Sequence, residues 1–277
     1  MANTGTPKYG AADVKKLRDL TGAGMMDCKK ALEAAEGNIE EAVEALREKS
    51  AKSVDKRAER TTANGLVAAA GGTMIELNSE TDFVAKNPEF QQLAASILQV
   101  ADDERPADLD ALKGAPLDGG TVLDAVQALS GRIGEKLQLK RYVHLDGPVA
   151  LYLHRRASDL PPVIGALVAY DGADTDTARS VAMHVAAAHP RYTSRDEVPA
   201  DVLDAQRREA EDTAKEEGKP EQIVPRIVDG KIKKFYSDSV LLEQVSVLDE
   251  SKTSVKALLD AAGVTVKTFA RFEVGQA

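Results

Sequence analysis

The sequence has no tryptophan, one cysteine (Cys28), and aromatic side chains at only 4% of its positions. A single cysteine cannot close an internal disulfide, which excludes the disulfide-stapled secreted scaffolds and points to a reducing compartment. Long apolar runs are also missing. The nearest candidate, Gly65 to Leu77, is broken by Gly71, Gly72 and Glu76 and falls short of the ~20 apolar residues of a membrane span. The opening residues, MANTGTPKYG, carry neither a basic start nor an apolar run, so neither a secretory signal nor an Arg- and Ser-rich transit segment is expected. Positive charge is in deficit: 36 Lys and Arg stand against 45 Asp and Glu, a formal net charge of -9. That balance argues against a broad nucleic-acid surface, which needs clustered bases to neutralise phosphates. What remains is an acidic, cytoplasmic protein with no direct nucleic-acid contact and no membrane attachment.

The 277 residues, 43% of them hydrophobic, are enough for two or more modules with proper cores. The first fifty read as three short helices. Val14, Leu17 and Leu20 form one apolar stripe; Gly22 and Gly24 interrupt it; a second helix from Met25 carries Cys28, Ala31, Leu32 and Ala35. Gly37 suits a helix C-cap, and Asn38 with Glu41 has the spacing of a capping box for a third helix burying Ile39, Ala42, Val43 and Leu46. Between Arg47 and Arg60 the apolar period is lost, and six bases and three acids read either as a solvated linker helix or as a phosphate-binding patch.

From Gly65 the texture is that of α+β. GLVAAA and TMIELN flank a Gly71-Gly72 turn as two strands, and helical patterns cover about 88 to 102 and 121 to 138. Arg141 to Leu145, Val149 to His154 and Val163 to Tyr170 read as strands, Thr175 to Ala188 as a helix, and Lys267 to Val274 as a closing strand. The hairpin-like turns favour antiparallel pairing. Asp196 to Glu217 and a second helix opened by Pro220 read as a helical hairpin, with Ile223, Val224, Ile227, Val228, Ile232 and Phe235 as the inner stripe. Pro225 should kink that second helix or push its start later.

No catalytic set is visible. Cys28 shares a face with Ala31 and Leu32 and reads as a buried thiol. The histidines, His144, His154, His184 and His189, lack zinc-site spacing, and Gly131-Arg-Ile-Gly134-Glu-Lys136 has the wrong glycine spacing for a phosphate loop. Neither metal nor cofactor is expected, and the chain does not read as an enzyme. Two features stand out instead. Met25 and Met26 are adjacent and cannot both face one small core; an exposed methionine is an adaptable contact, while the alternative is that both fill the core at a loop. Asn78-Ser-Glu-Thr-Asp-Phe83-Val-Ala-Lys follows a strand. It reads either as helix capping with Phe83 stapled into the core, or as an aromatic presented on a rigid turn.

Val14 to Arg47, VKKLRDLTGAGMMDCKKALEAAEGNIEEAVEALR, resembles the N-terminal module of the bacterial elongation factor Ts family, itself similar to ubiquitin-associated domains. SETDFVAK (Ser79 to Lys86) resembles that family's signature loop, and AMHVAA, GKPEQIVPRIVDGKIKKF and RFEVG resemble its later blocks, in order across almost the whole chain. The resemblance implies a guanine-nucleotide exchange factor for elongation factor Tu, in homodimeric or higher complexes with that partner. It implies an α+β fold: a three-helix module at 1–50, a charged linker at 51–64, a core N-subdomain at 65–140, a core C-subdomain at 141–189 with 236–277, and a projecting helical hairpin at 190–235. By the motif match, Thr81, Asp82, Phe83 and Val84 form the loop that disturbs the partner's magnesium site, with Phe83 as the wedge. Val14, Leu17, Met25 and Met26 make the module's contact, and His154 matches a residue near a second contact. The sequence departs from the family at RRASDLPPVIG (Arg155 to Gly165), at Pro225, and in ending at Ala277, where some members carry a further helical module. The competing reading is a binding adaptor with a ubiquitin-associated-like module and no exchange activity.

Overall fold

A computed structural model of the chain describes residues 9–55, 59–247 and 252–276. It combines helices with small antiparallel sheets and divides into two compact units. One takes in the described residues up to His144, Arg155–Val163 and those from Phe272; the other holds Leu145–His154 and Ile164–Arg271. No helix among the described residues is long and apolar enough to cross a membrane.

The first unit opens with α1 (Ala11–Thr21), α2 (Met25–Ala34) and α3 (Ile39–Asp55). α1 stops where Gly22 turns left-handed, at φ 65, and bonds back to Arg18. Asn38 starts α3 as the sequence suggests: its side-chain oxygen accepts from the Glu40 and Glu41 N–H groups, and its amide donates to the Glu41 carboxylate. Leu17, Cys28, Ala31, Leu32, Ala42 and Leu46 fill the core between the three helices. Burial pushes the Cys28 thiol up, the behaviour of a structural cysteine. α3 runs on to Asp55, well into the stretch expected to be a linker; residues 56–58 of that stretch and 1–8 of the N-terminal module lie outside the described residues.

β1 (Asn64–Ala70) and β2 (Thr73–Ser79) form the expected hairpin, with Gly71 at φ 55 in the turn. After β2 come α4 (Asp82–Ala85), α5 (Pro88–Glu104) and α6 (Leu109–Gly114), then the two-residue strands β3 (Pro116–Leu117) and β4 (Gly120–Thr121), then α7 (Val122–Ile133). β5 (Gln138–His144) pairs antiparallel with β2, so the sheet order is β1-β2-β5. All seven residues of the central strand β2 are buried. Phe90 and Ile97 of α5, Leu112 of α6 and Leu129 of α7 cover Leu66, Ile75 and Leu77. α7 ends at Gly134 (φ 84) rather than near 138, because a left-handed glycine closes a helix. Of the residues expected in that helix beyond Gly134, only Gln138 enters β5, and the boundary expected between 140 and 141 falls inside that strand. The Arg155–Val163 segment also belongs to this unit: Pro162 O accepts from the Val67 N–H, and Val163 O from the Val274 N–H.

In the second unit β6 (Val149–His154) pairs antiparallel with β7 (Ile164–Asp171) from Val149↔Ala169 to His154↔Ile164. α8 (Thr175–Ala188) packs Ala178, Val181, Ala182 and Val185 onto these strands. α9 (Ala200–Glu216) and α10 (Val224–Ser239) pack on each other with Ala210, Ala214 and Val228 buried. Pro225 falls in the first turn of α10, where its missing N–H has no partner to lose. It therefore sets a later start, after a 3-10 turn at Glu221–Ile223. α11 (Val255–Ala262) leads into β8 (Thr265–Glu273), and the sheet order is β6-β7-β8.

Candidate functional site

β2 delivers the chain into the loop that contains Phe83. Ser79 Oγ donates to Thr81 O at 2.8 Å, and the Asn64 amide donates to Glu80 O at 2.8 Å. Thr81 occupies the N-cap position of α4, but its side chain makes no capping hydrogen bond there. Its N–H and hydroxyl instead donate to the two carboxylate oxygens of Glu135, at 3.1 and 2.8 Å. The Phe83 ring is 80% exposed, while Val84 beside it is 5% exposed and Ala85 is 2% exposed. One side of this single-turn helix thus plugs the core while the other holds an aromatic in solvent. The stapled reading of Phe83 is excluded. Val84, grouped with the contact loop from the sequence, anchors that loop from beneath. Asp82 is exposed. Lys86, at the loop's end, meets Asp159 of the Arg155–Val163 segment at 2.8 Å. Their shared hydrogen bond lowers the Asp159 carboxyl and raises the Lys86 amine.

A second apolar surface surrounds Gly22-Ala-Gly24. Met25 and Met26 are 60% and 64% exposed, so neither fills the core. Leu20 joins them at 63%, whereas Leu17 is fully buried and Val14 is half-buried. The stripe read from the sequence therefore splits. Leu17 builds the three-helix core and offers no surface, and Leu20 takes its place on the outside. Behind this loop lies α7, because a Cβ at Gly22 would collide with the Arg132 side chain. His154, in the second unit, is exposed at the end of β6 with Nδ1 3.2 Å from the Tyr152 hydroxyl.

Sequence reasoning missed Leu20 and Glu135. Leu20 lies at the margin of the helix stripe, where periodicity cannot separate core from rim. Glu135 lies in the Gly131–Lys136 motif, weighed only as a phosphate loop, and its partner is 54 residues away. Among the described residues no group of three or more His, Cys, Asp and Glu is placed to hold a metal ion.

Large apolar side chains held in solvent by fixed backbone are the anchors of a protein–protein contact. Fold and site together define an α+β protein that presents two exposed apolar surfaces, one at Phe83 and one at Leu20, Met25 and Met26. Residues 80–276 match the family model described as Elongation factor TS. Over 273 residues the chain is 60% identical to the Elongation factor Ts of Mycobacterium avium (strain 104), spanning 97% of this chain and 99% of that protein. It is 61% identical to that of Nocardia farcinica (strain IFM 10152) over the same shares. The chain belongs to the elongation factor Ts family and is a translation elongation factor.

Proposed function

We propose that this protein is a cytoplasmic guanine-nucleotide exchange factor for elongation factor Tu, using Phe83 as a wedge against the partner's magnesium and phosphate site. The observation that carries the reading is the 80% exposure of Phe83 on a loop rooted in the central strand of a sheet. Exchange makes and breaks no covalent bond. The factor must bind the nucleotide-free GTPase more tightly than the nucleotide-bound form, and it then weakens nucleotide binding by the same factor. An aromatic driven between close-packed helices is accommodated only if they move. Magnesium demands near-ideal octahedral geometry at ~2.0–2.1 Å, so a small displacement releases much of its hold on the phosphates. Thr81 and Asp82 flank the wedge, and Leu20, Met25 and Met26 of a ubiquitin-associated-like module dock beside it. His154 makes a second contact from the C-subdomain, and α9 with α10 forms a projecting hairpin. Nucleic acid and membrane have no part in the reaction.

The test is release of a fluorescent GDP from loaded elongation factor Tu. Substoichiometric protein should accelerate it catalytically, and Phe83→Ala should fold normally yet lose most of the acceleration. Wild-type release by that variant would sink the wedge, and binding with no acceleration by the natural protein would favour the adaptor.

A further inference from the structure

α4 is too short to hold the Phe83 loop by itself. It has four residues, and the Thr81 side chain makes no capping bond to it. The loop is instead cross-bonded to the chain that follows α7. Glu135, half-buried, accepts from both polar groups of Thr81 at 3.1 and 2.8 Å. One residue earlier the exchange runs the other way: Glu80 Oε1 accepts from the Lys136 N–H at 2.6 Å. Two adjacent loop residues and two adjacent residues after α7 thus each supply one acid to the other's backbone. Glu135 is itself aimed by its surroundings. Gly134, at φ 84, ends α7, and Ser130 Oγ donates to Glu135 O at 2.6 Å. A two-pronged acceptor fixes orientation as well as position. Thr81 stands at the N-cap of α4, two residues before Phe83.

We infer that Glu135 is a positioning residue for Phe83. It holds the loop in the conformation that projects the ring, so the wedge meets its partner already ordered. This rests on the exchange reading above. A loop without that fork would be ordered only at the encounter, and the lost entropy would subtract from the differential binding that expels nucleotide.

The protein has no tryptophan and six tyrosines, so Phe83→Trp places a single tryptophan, excited selectively at the red edge of protein absorption, at the loop. In that background Glu135→Ala should lower the anisotropy of Trp emission from the free protein, with the thermal midpoint unchanged. In the natural background Glu135→Ala should slow maximal GDP release about tenfold. Glu135→Gln, which keeps one acceptor, should slow it about threefold, and it carries the test if the alanine variant fails to fold. Adding Glu135→Ala to Phe83→Ala should cost nothing further, since the two act as one unit. Unchanged anisotropy, or additive losses in the double variant, would overturn the assignment. Wild-type release by Phe83→Ala would instead overturn the wedge, and the anisotropy would still decide whether Glu135 orders the loop.

Discussion

Glu76 lies fully buried at the middle of β2, directly opposite Arg141 on β5, with which it forms an ion pair. Arg141 also donates to Glu273 O at 2.8 Å and lies 4.5 Å from the centroid of the Phe272 ring, both residues of the same unit. The second carboxylate oxygen of Glu76 is buried without a hydrogen-bond partner, so the pair is fixed in place but not fully satisfied. Removing one member of such a pair leaves an uncompensated buried charge, which costs about 3–5 kcal/mol, whereas replacing both with apolar groups is often neutral. Arg141→Ala should therefore lower the free energy of unfolding by that amount in chemical denaturation, and Glu76→Met with Arg141→Met should recover most of it. A loss below about 1 kcal/mol in the single variant, the range of surface pairs, would show that the pair is not coupled in a dry core. From the sequence Glu76 could be read only as an interruption of an apolar run, because its partner lies 65 residues away. The same limit applies to Phe83 and Val84, and to Leu17 and Leu20. Residue type announces that an apolar group is present, but which member faces out depends on what the turn or the neighbouring helix covers.

Elements with strong local signals were legible from the chain. α8 begins and ends where its pattern does, and the Asp174 carboxylate caps it by accepting from the Asp176 and Thr177 N–H groups. The hydrogen bonds from Thr177 hold that carboxyl below its usual range. Elements of two to six residues (α6, β3 and β4) went unseen, since they hold too few residues to show a period. α8 also carries a feature that patterning cannot show. His184 is 1% exposed, with Nε2 2.9 Å from Gln244 Oε1 and Nδ1 accepting from the Val247 N–H at 3.2 Å. Nδ1 is thus an acceptor, and the ring is neutral with its proton on Nε2. Burial lowers the His184 pKa from its ordinary 6.5, so the unfolded chain binds this proton more readily than the folded one. The associated stability is complete above about pH 6.5 and is lost as pH falls through the lower folded value. Thermal melts between about pH 7 and 5 should show that decline. His184→Gln cannot titrate and should flatten it, and an equal decline in the variant would assign the effect to other groups.

At the scale of the molecule, the first unit carries both apolar surfaces, and the end of α7 underlies each of them. Arg132 backs the Gly22 turn beside Leu20 and Met25, and Glu135 holds the Phe83 loop. Two contacts on one framework let the second form at high effective concentration once the first is made. The resemblance supplied the identity of these surfaces, while the shared support through α7 depends on pairings more than fifty residues apart in the chain. A division of labour follows. On the exchange function proposed above, Leu20, Met25 and Met26 would contact the partner before and after nucleotide leaves and so contribute affinity equally to both states. Phe83 would contribute only where the partner's helices have moved. Interactions that are the same in ground and transition states change half-saturation, and those made only in the transition state change the maximal rate. Leu20→Ala with Met25→Ala and Met26→Ala should therefore raise the half-saturating concentration in the GDP-release assay by tenfold or more, since truncating central apolar anchors costs about 2 kcal/mol or more. The maximal rate should stay within about twofold of the natural protein, whereas Phe83→Ala should depress chiefly that rate. A triple variant that lost maximal rate at unchanged half-saturation would place the N-terminal surface in the displacement step itself, and the two contacts would then have to be treated as a single wedge.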